Sequence, residues 1–266
     1  MTFLASVGGR PLHRYVPLDL ARRAARVWDI DDLLEIWARS GLAAPILRRR
    51  LARRIDPCFA EKGLIFIHIP KNGGTAIARG LFGHSVLHYT AAFYRAVDPD
   101  LFRTLPSFAV LREPAGRFAS AIRFVRQGGG SEVAHKEVAA RRLRKLRSEE
   151  DFIGYVEDHD TLELDYVFRP QTAFVQSPAG EVIVNDLFVL GEAPLAEFLR
   201  RQGVASLPRI NETGGADLTL SSAVRARVEA RYAADAELLA RVRTMEAMGQ
   251  AAGRLVHDEA RPGELE

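Results

Sequence analysis

Two stretches built on the same plan constrain this chain more than anything else in it. The first, LIFIHIPKNGGTAIARGLF over residues 64–82, opens on apolar residues, turns on proline, lysine and two glycines, and continues into helix formers. The second, SFAVLREPAGRFASAIRF over 107–124, is again an apolar run, a charged turn and a helix that Pro114 opens at its first position. The patterns predict strands at 64–69 and 107–111 and helices at 75–82 and 114–124. Strand, turn and helix twice over predicts an α/β fold around a parallel sheet.

Composition decides what such a fold would meet. The 266 residues, 47% of them hydrophobic, suffice for a full core. The pI near 9.2 rests on a net charge of only +3, from 37 basic and 34 acidic residues. That balance suits an anionic ligand without demanding nucleic acid. Cys58 is the single cysteine, which rules out an internal disulfide and a multi-cysteine zinc cluster and fits a reducing compartment. The first fifteen residues lack the apolar core of a secretory signal, and no run reaches about 18 apolar residues, so a soluble, cytoplasmic protein without a transmembrane segment is expected.

The remaining chain divides into three regions. Residues 1–60 are expected to form a helical, arginine-rich extension, two helices over 17–54 broken near Ser40 and Gly41, with Trp28 and Trp37 on apolar positions and a linker at Asp56 and Pro57. Residues 61–250 carry the α/β domain and 251–266 a flexible tail. Within the domain, Gly128 to Gly130 close the second helix and 133–150 reads as a charged helix. Phe152 to Val156 and Tyr166 to Val175 read as packed segments, 181–190 as a hairpin or paired strands, and 219–247 as one long helix.

The first turn reads as an anion cradle. A strand end delivers it, Gly73 and Gly74 allow close backbone approach, and the following helix presents unsatisfied N–H groups and its positive dipole end. Lys71 adds a charge in a chain that has only four lysines, and Thr75 adds a hydroxyl at the helix start. Phosphate or sulfate are the natural guests. In a triphosphate-binding loop the lysine follows the glycines; here it precedes both, and no G-x-x-x-x-G-K-[ST] or G-x-G-x-x-G motif is present.

HIPKNGGTAI resembles the 5′-phosphosulfate loop of sulfotransferases that use 3′-phosphoadenosine 5′-phosphosulfate (PAPS), in particular the carbohydrate-type family. FAVLREPAGRFASAIRF is similar to that family's 3′-phosphate element, R-[DE]-P-x-x-R-x-x-S, with Arg112, Glu113, Pro114, Arg117 and Ser120 in place. Arg112 and Ser120 have the chemistry to converge on one phosphate, by bidentate charge-assisted bonds and by a hydroxyl. FRPQTAF at 168–174 and INETGGADLTLSSAVRARVEARYAADAELL at 210–239 extend the likeness, which covers roughly residues 62–245 in order. Asn72 and Ala76 depart from the threonine and serine often found in that loop. Asn72 still donates, whereas Ala76 leaves only its N–H for the sulfate. The G-x-x-G-x-x-K segment of the cytosolic branch is missing, which points away from small phenol or steroid acceptors.

The resemblance implies a three-layer, P-loop-like core and in-line transfer of a sulfuryl group from PAPS to a hydroxyl, on a carbohydrate or glycoconjugate, with no metal. It assigns Lys71 to the bridging oxygen and the leaving phosphate. Lys71, Asn72, Gly73, Gly74, Thr75 and Ala76 form the cradle, and Arg112, Ser120 and Arg117 bind the 3′-phosphate, Arg117 equally well being a salt-bridge residue. His88 lies where carbohydrate 2-O-sulfotransferases carry a catalytic histidine, and an imidazole suits a general base; His84 is the alternative. His68 reads as a packed strand residue, and His159 as a solvated loop residue, with the lining of an acceptor cleft as the alternative. Arg169 and Gln171 read either as contacts to acceptor or adenosine or, the preferred reading, as structural residues, and Asn211 as shaping a loop over the nucleotide. Two rival readings share these features: a nucleotide or small-molecule kinase, and a non-catalytic binding module.

Overall fold

In the computed structural model, the residues described are 51–128, 143, 145–207 and 218–248. Three short strands, β1 (Ile65–Ile67), β2 (Ser107–Leu111) and β3 (Asp186–Val189), form one sheet in the order β1-β2-β3. Both pairings are parallel, with Phe66 opposite Phe108 and Val110 opposite Phe188. Every residue of β1 and β2 is buried, which is why their sequences are continuous apolar runs with no alternation. The protein is thus mixed α/β, as the repeated strand-turn-helix pattern predicts.

Helices fill the connections. Between β1 and β2 lie α2 (Gly74–Phe82), α3 (Ala91–Val97) and α4 (Pro99–Thr104), after α1 (Cys58–Lys62), which precedes β1. Between β2 and β3 lie α5 (Pro114–Arg126), α6 (Glu149–Glu157) and α7 (Thr172–Val175); α8 (Ala193–Arg201), α9 (Ser222–Arg231) and α10 (Ala233–Ala247) follow β3. Local chemistry sets several starts. Thr90 accepts from the Phe93 N–H, Asp98 from the Leu101 N–H, and Ser148 with Asp151 forms a reciprocal capping box.

Buried apolar side chains fall into two clusters. One surrounds the sheet and takes in Phe59, Phe66, Tyr94, Phe108, Phe188 and Leu239. The other packs α5, α6 and α9 around Phe118, Phe152, Phe168 and Tyr232. Leu51, Ile55, Cys58 and Phe59 belong to the first cluster, so the boundary expected at residue 60 falls inside α1 and within the core. No described helix is long and apolar enough to cross a membrane.

Three expected elements differ. The 181–190 segment is not a hairpin: Val182 makes a single antiparallel bridge with Gln176, and the chain then becomes β3, parallel to β2. The Asn185 side chain fixes that placement, accepting from both the N–H and the hydroxyl of Ser107 at 2.8 Å. The helix expected over 219–247 breaks at Tyr232, which is turned inward with its hydroxyl donating to the Phe168 carbonyl at 2.6 Å. The charged helix expected over 133–150 does not run to its end, because residues 145–148 are not helical and the Ser148 cap starts α6 afresh. Its remainder, the two N-terminal helices with Trp28 and Trp37, Asn211 and the tail lie outside the described residues.

Candidate functional site

The first turn begins at the carboxyl end of β1 and runs through residues 68–73 into α2. Two of its residues adopt left-handed backbone conformations, Lys71 at φ 69° and Gly73 at φ 74°. For glycine this costs little. For lysine it stores on the order of 1 kcal/mol and needs a surrounding structure that enforces it. α2 starts at Gly74 without a side-chain cap. Among the described residues, no N–H of residues 72–75 reaches a backbone carbonyl, and Ala76 is the first to close the helix, onto Gly73 at 3.1 Å. Two left-handed residues flanking Asn72, with consecutive uncommitted N–H groups after them, give the kind of backbone turn in which an anion can be cradled.

Two sequence expectations change here. The Ala76 N–H, assigned to an anion, is spent on the helix. Gly74 is glycine for packing: a Cβ built on it would lie 2.0 Å from Cδ2 of His68. His68 itself is buried as expected, its Nδ1 bonded to the Val86 carbonyl at 3.0 Å, and burial lowers its pKa to about 4, so the ring stays neutral.

The second turn leaves the carboxyl end of β2, the neighbouring strand. The Arg112 Nη1 donates to the Lys71 carbonyl at 3.1 Å and so bridges the two turns. Gln171, fully buried ahead of α7, clasps both: its Oε1 accepts from the Arg112 N–H at 2.9 Å and from the Asn72 amide at 2.7 Å, and its Nε2 donates to the Arg112 carbonyl. Gln171 is held in turn by Asp235 of α10, whose buried carboxylate accepts from the Gln171 N–H, the Thr172 N–H and the Thr172 hydroxyl.

Asn72 and Arg117 therefore support the turns from within. The Asn72 side chain is 1% exposed and donates to the Val110 carbonyl at 2.7 Å, which leaves its backbone alone to face a ligand. Arg117 is 3% exposed, its Nε donates to the Pro70 carbonyl at 3.1 Å, and its Nη2 is buried without a partner among the described residues. A guanidinium so placed strengthens the positive potential of the loop without reaching its mouth. Ser120 is half-buried on α5, two turns after Arg112.

Lys71 is shaped by the same surroundings. Burial, reinforced by Arg112, Arg123 and Arg117, lowers its pKa to about 8. Its Nζ rests 4.3 Å from the ring centroid of Phe124, on the helix that follows the second turn.

The histidines separate by their partners. His88 is half-buried, with Nδ1 at 2.9 Å from the His68 carbonyl. A carbonyl only accepts, so Nδ1 carries the proton and the lone pair of the neutral ring lies on Nε2. The His88 ring lies 4.0 Å from that of His68 and 5.2 Å from that of Tyr166, so contacts link it through His68 to Gly74 in the cradle. His84 cannot share the role: Nδ1 bonds the Phe82 carbonyl, Nε2 lies 2.7 Å from Asp56 Oδ2, and that carboxylate raises its pKa. His159 bonds the Tyr155 carbonyl at 2.8 Å. Arg169 donates to the Leu164 and Leu162 carbonyls.

Sequence reading missed the clasp. Gln171 and Asp235 stand in the two stretches that extend the family likeness, and that was their only signal. Phe124 and Tyr166 carried none. Comparison with protein-family models, with curated proteins and with solved structures returned no match.

Proposed function

We propose that this protein is a PAPS-dependent sulfotransferase that moves a sulfuryl group to the hydroxyl of a carbohydrate or glycoconjugate acceptor, on a P-loop-like three-layer core. The observation that carries the reading is the pairing of two differently built anion sites on adjacent parallel strand ends. One turn offers backbone N–H groups and Lys71, the other offers Arg112 with Ser120 on the helix that follows it, and Gln171 clasps the two turns together. Phosphates on both sides of one ribose need such a pair, at the carboxyl edge of a sheet.

When bound, the nucleotide supplies the sulfuryl group. The N–H groups of Gly73, Gly74 and Thr75 would hold the 5′-phosphate end, and Lys71, whose Nζ rests over Phe124, would supply positive charge to the departing phosphate. Arg112 and Ser120 hold the 3′-phosphate. His88, its Nδ1 proton fixed on the His68 carbonyl, takes the acceptor proton at Nε2. Positioning and electrostatics do most of the work, as in phosphoryl transfer.

The test is calorimetric titration with 3′-phosphoadenosine 5′-phosphate and with ATP. The bisphosphate is expected to bind more tightly, and Arg112→Ala to weaken it by about 10- to 100-fold through loss of a charge-assisted contact. Better binding of ATP, or an unchanged bisphosphate affinity in Arg112→Ala, would overturn the reading in favour of a kinase or a plain binding module.

A further inference from the structure

We propose a second site, independent of the first: Asp56, Cys58 and His84 form a binding site for a divalent transition-metal ion of the zinc type. Each offers one donor atom, an oxygen, a sulfur and a nitrogen, and all three lie within 4.8 Å of one another. They come from two places in the fold. Asp56 and Cys58 flank the start of α1, whereas His84 follows Gly83, the left-handed residue that ends α2.

The convergence of an oxygen, a nitrogen and a sulfur from two places in the fold carries the argument, and the orientation of His84 fits it. Its Nδ1 faces the Phe82 carbonyl at 3.0 Å and must bear a proton there. Nε2 faces Asp56 Oδ2 at 2.7 Å, so a neutral ring would set a lone pair against a carboxylate oxygen. A positive charge must therefore lie between them, as a second ring proton or as a metal ion. Protons can meet the same needs, one on the ring between His84 and Asp56 and the thiol hydrogen of Cys58 donated to the Asp56 carboxylate. An ion satisfies nitrogen, oxygen and sulfur together.

The supporting bonds suit a metal site. A ligating histidine ordinarily donates its other ring N–H to a carbonyl or carboxylate, which Phe82 provides. The second oxygen of Asp56, Oδ1, accepts the Cys58 N–H at 3.1 Å and orients the carboxylate. Bond lengths of about 2.0–2.3 Å at tetrahedral angles place donors roughly 3.3–3.7 Å apart. Asp56 and His84 would separate by under about 1 Å and Cys58 would approach by a similar amount. Two protons, from the thiol and from the imidazolium, leave as one divalent ion enters, so the net charge of the site is conserved.

Access and ion type follow from the neighbours. The side chains of His84 and Asp56 are 51% and 29% exposed, and a cavity of about 260 Å³, lined by Arg53, Arg54, Asp56, Ser85 and Tyr94, borders the cluster. Thiolate and imidazole donors favour zinc and its neighbours. Three protein ligands leave one exchangeable position. The ion would join the segment before β1 to the end of the helix that the anion loop begins.

The experiment uses the full chain, stripped with a chelator and titrated with cobalt(II) as a spectroscopic stand-in for zinc. Stoichiometric binding is expected, with an intense near-ultraviolet thiolate-to-cobalt band that zinc bleaches. Cys58→Ser should abolish the band. Asp56→Ala and His84→Ala should each weaken binding by more than about tenfold, while His159→Ala leaves it unchanged. Absence of the thiolate band in the wild type, or the band surviving in Cys58→Ser, would overturn the site. Should His84→Ala fail to fold, those two spectra still decide.

Discussion

The two strand-turn-helix units share a plan and solve the same problem by different means. In the first, the backbone would supply the proposed anion site: Lys71 and Gly73 are left-handed, and α2 begins without a side-chain cap. In the second, Pro114 at the first helical position removes a donor from the helix start, and arginine side chains take over. Of those arginines one faces the first turn's carbonyl and the other is buried beneath Pro70. A backbone site is rigid but cannot be tuned; a side-chain site is tunable but must be braced. The bracing comes from Gln171 and Asp235, far along the chain, and this is where the comparison is most easily broken.

Asp235→Ala should have the largest effect. It strands three buried donors at once, the N–H groups of Gln171 and Thr172 and the Thr172 hydroxyl. The expected cost is roughly 3–5 kcal/mol, seen as a Tm lower by on the order of 10 °C. Bisphosphate binding should fail in the residual folded fraction, because Gln171 loses its hold on both Arg112 and Asn72. A stable variant with unimpaired binding would mean that the second turn needs no brace.

Gly74→Ala probes the first turn. Its Cβ would meet the buried His68 ring at 2.0 Å, and overpacking of this kind costs about 2–3 kcal/mol. Gly73→Ala, strained by its positive φ with Leu190 Cδ1 at 3.0 Å, should cost only about 1–2 kcal/mol. Combining Gly74→Ala with His68→Ala should cost less than the sum of the two single changes, since the clash goes with the ring. Chemical denaturation of the four variants checks the ranking. Strict additivity would return Gly74 to the ligand-approach role that the glycine pattern alone suggests.

What could be read from the sequence follows the same division. Strands β1 and β2, the helices after them and the residues of both turns were legible, because buried parallel strands are continuous apolar runs and glycine and proline punctuate the turns locally. The roles of Asn72, Gly74 and Arg117 were not. Each depends on a partner far off in sequence or on the other side of a turn: Asn72 on Gln171, Gly74 on His68, Arg117 on the Pro70 carbonyl. Spacing could rank His84 and His88 only as neighbours, and the Asp56 carboxylate separates them. The break at Tyr232 had no glycine or proline to announce it; an inward tyrosine hydroxyl and an inward aspartate impose it through tertiary contacts.

The smallest predicted effect sets the two turns against each other electrostatically. Burial, with Arg112 and Arg117 adding to it, lowers the Lys71 pKa to about 8, so the second turn helps weaken the charge on which the proposed first site relies. A cation is lost as pH rises through its folded pKa. Bisphosphate affinity should therefore fall about tenfold between pH 7 and pH 9, and Lys71→Arg, whose guanidinium stays charged, should remove that step. Stability should move the opposite way. The unfolded lysine titrates near 10.5, so between about pH 8 and 10.5 the unfolded state binds more protons, and the contribution of Lys71 to stability rises with pH over the interval in which its contribution to binding is lost. Lys71→Met should accordingly bind the bisphosphate poorly yet melt higher than wild type at pH 7, because it removes a desolvated charge from beside three arginines. Titrations and melts across the same pH range test both signs together. Parallel rather than opposed trends would show that Lys71 is not held in the field of the second turn.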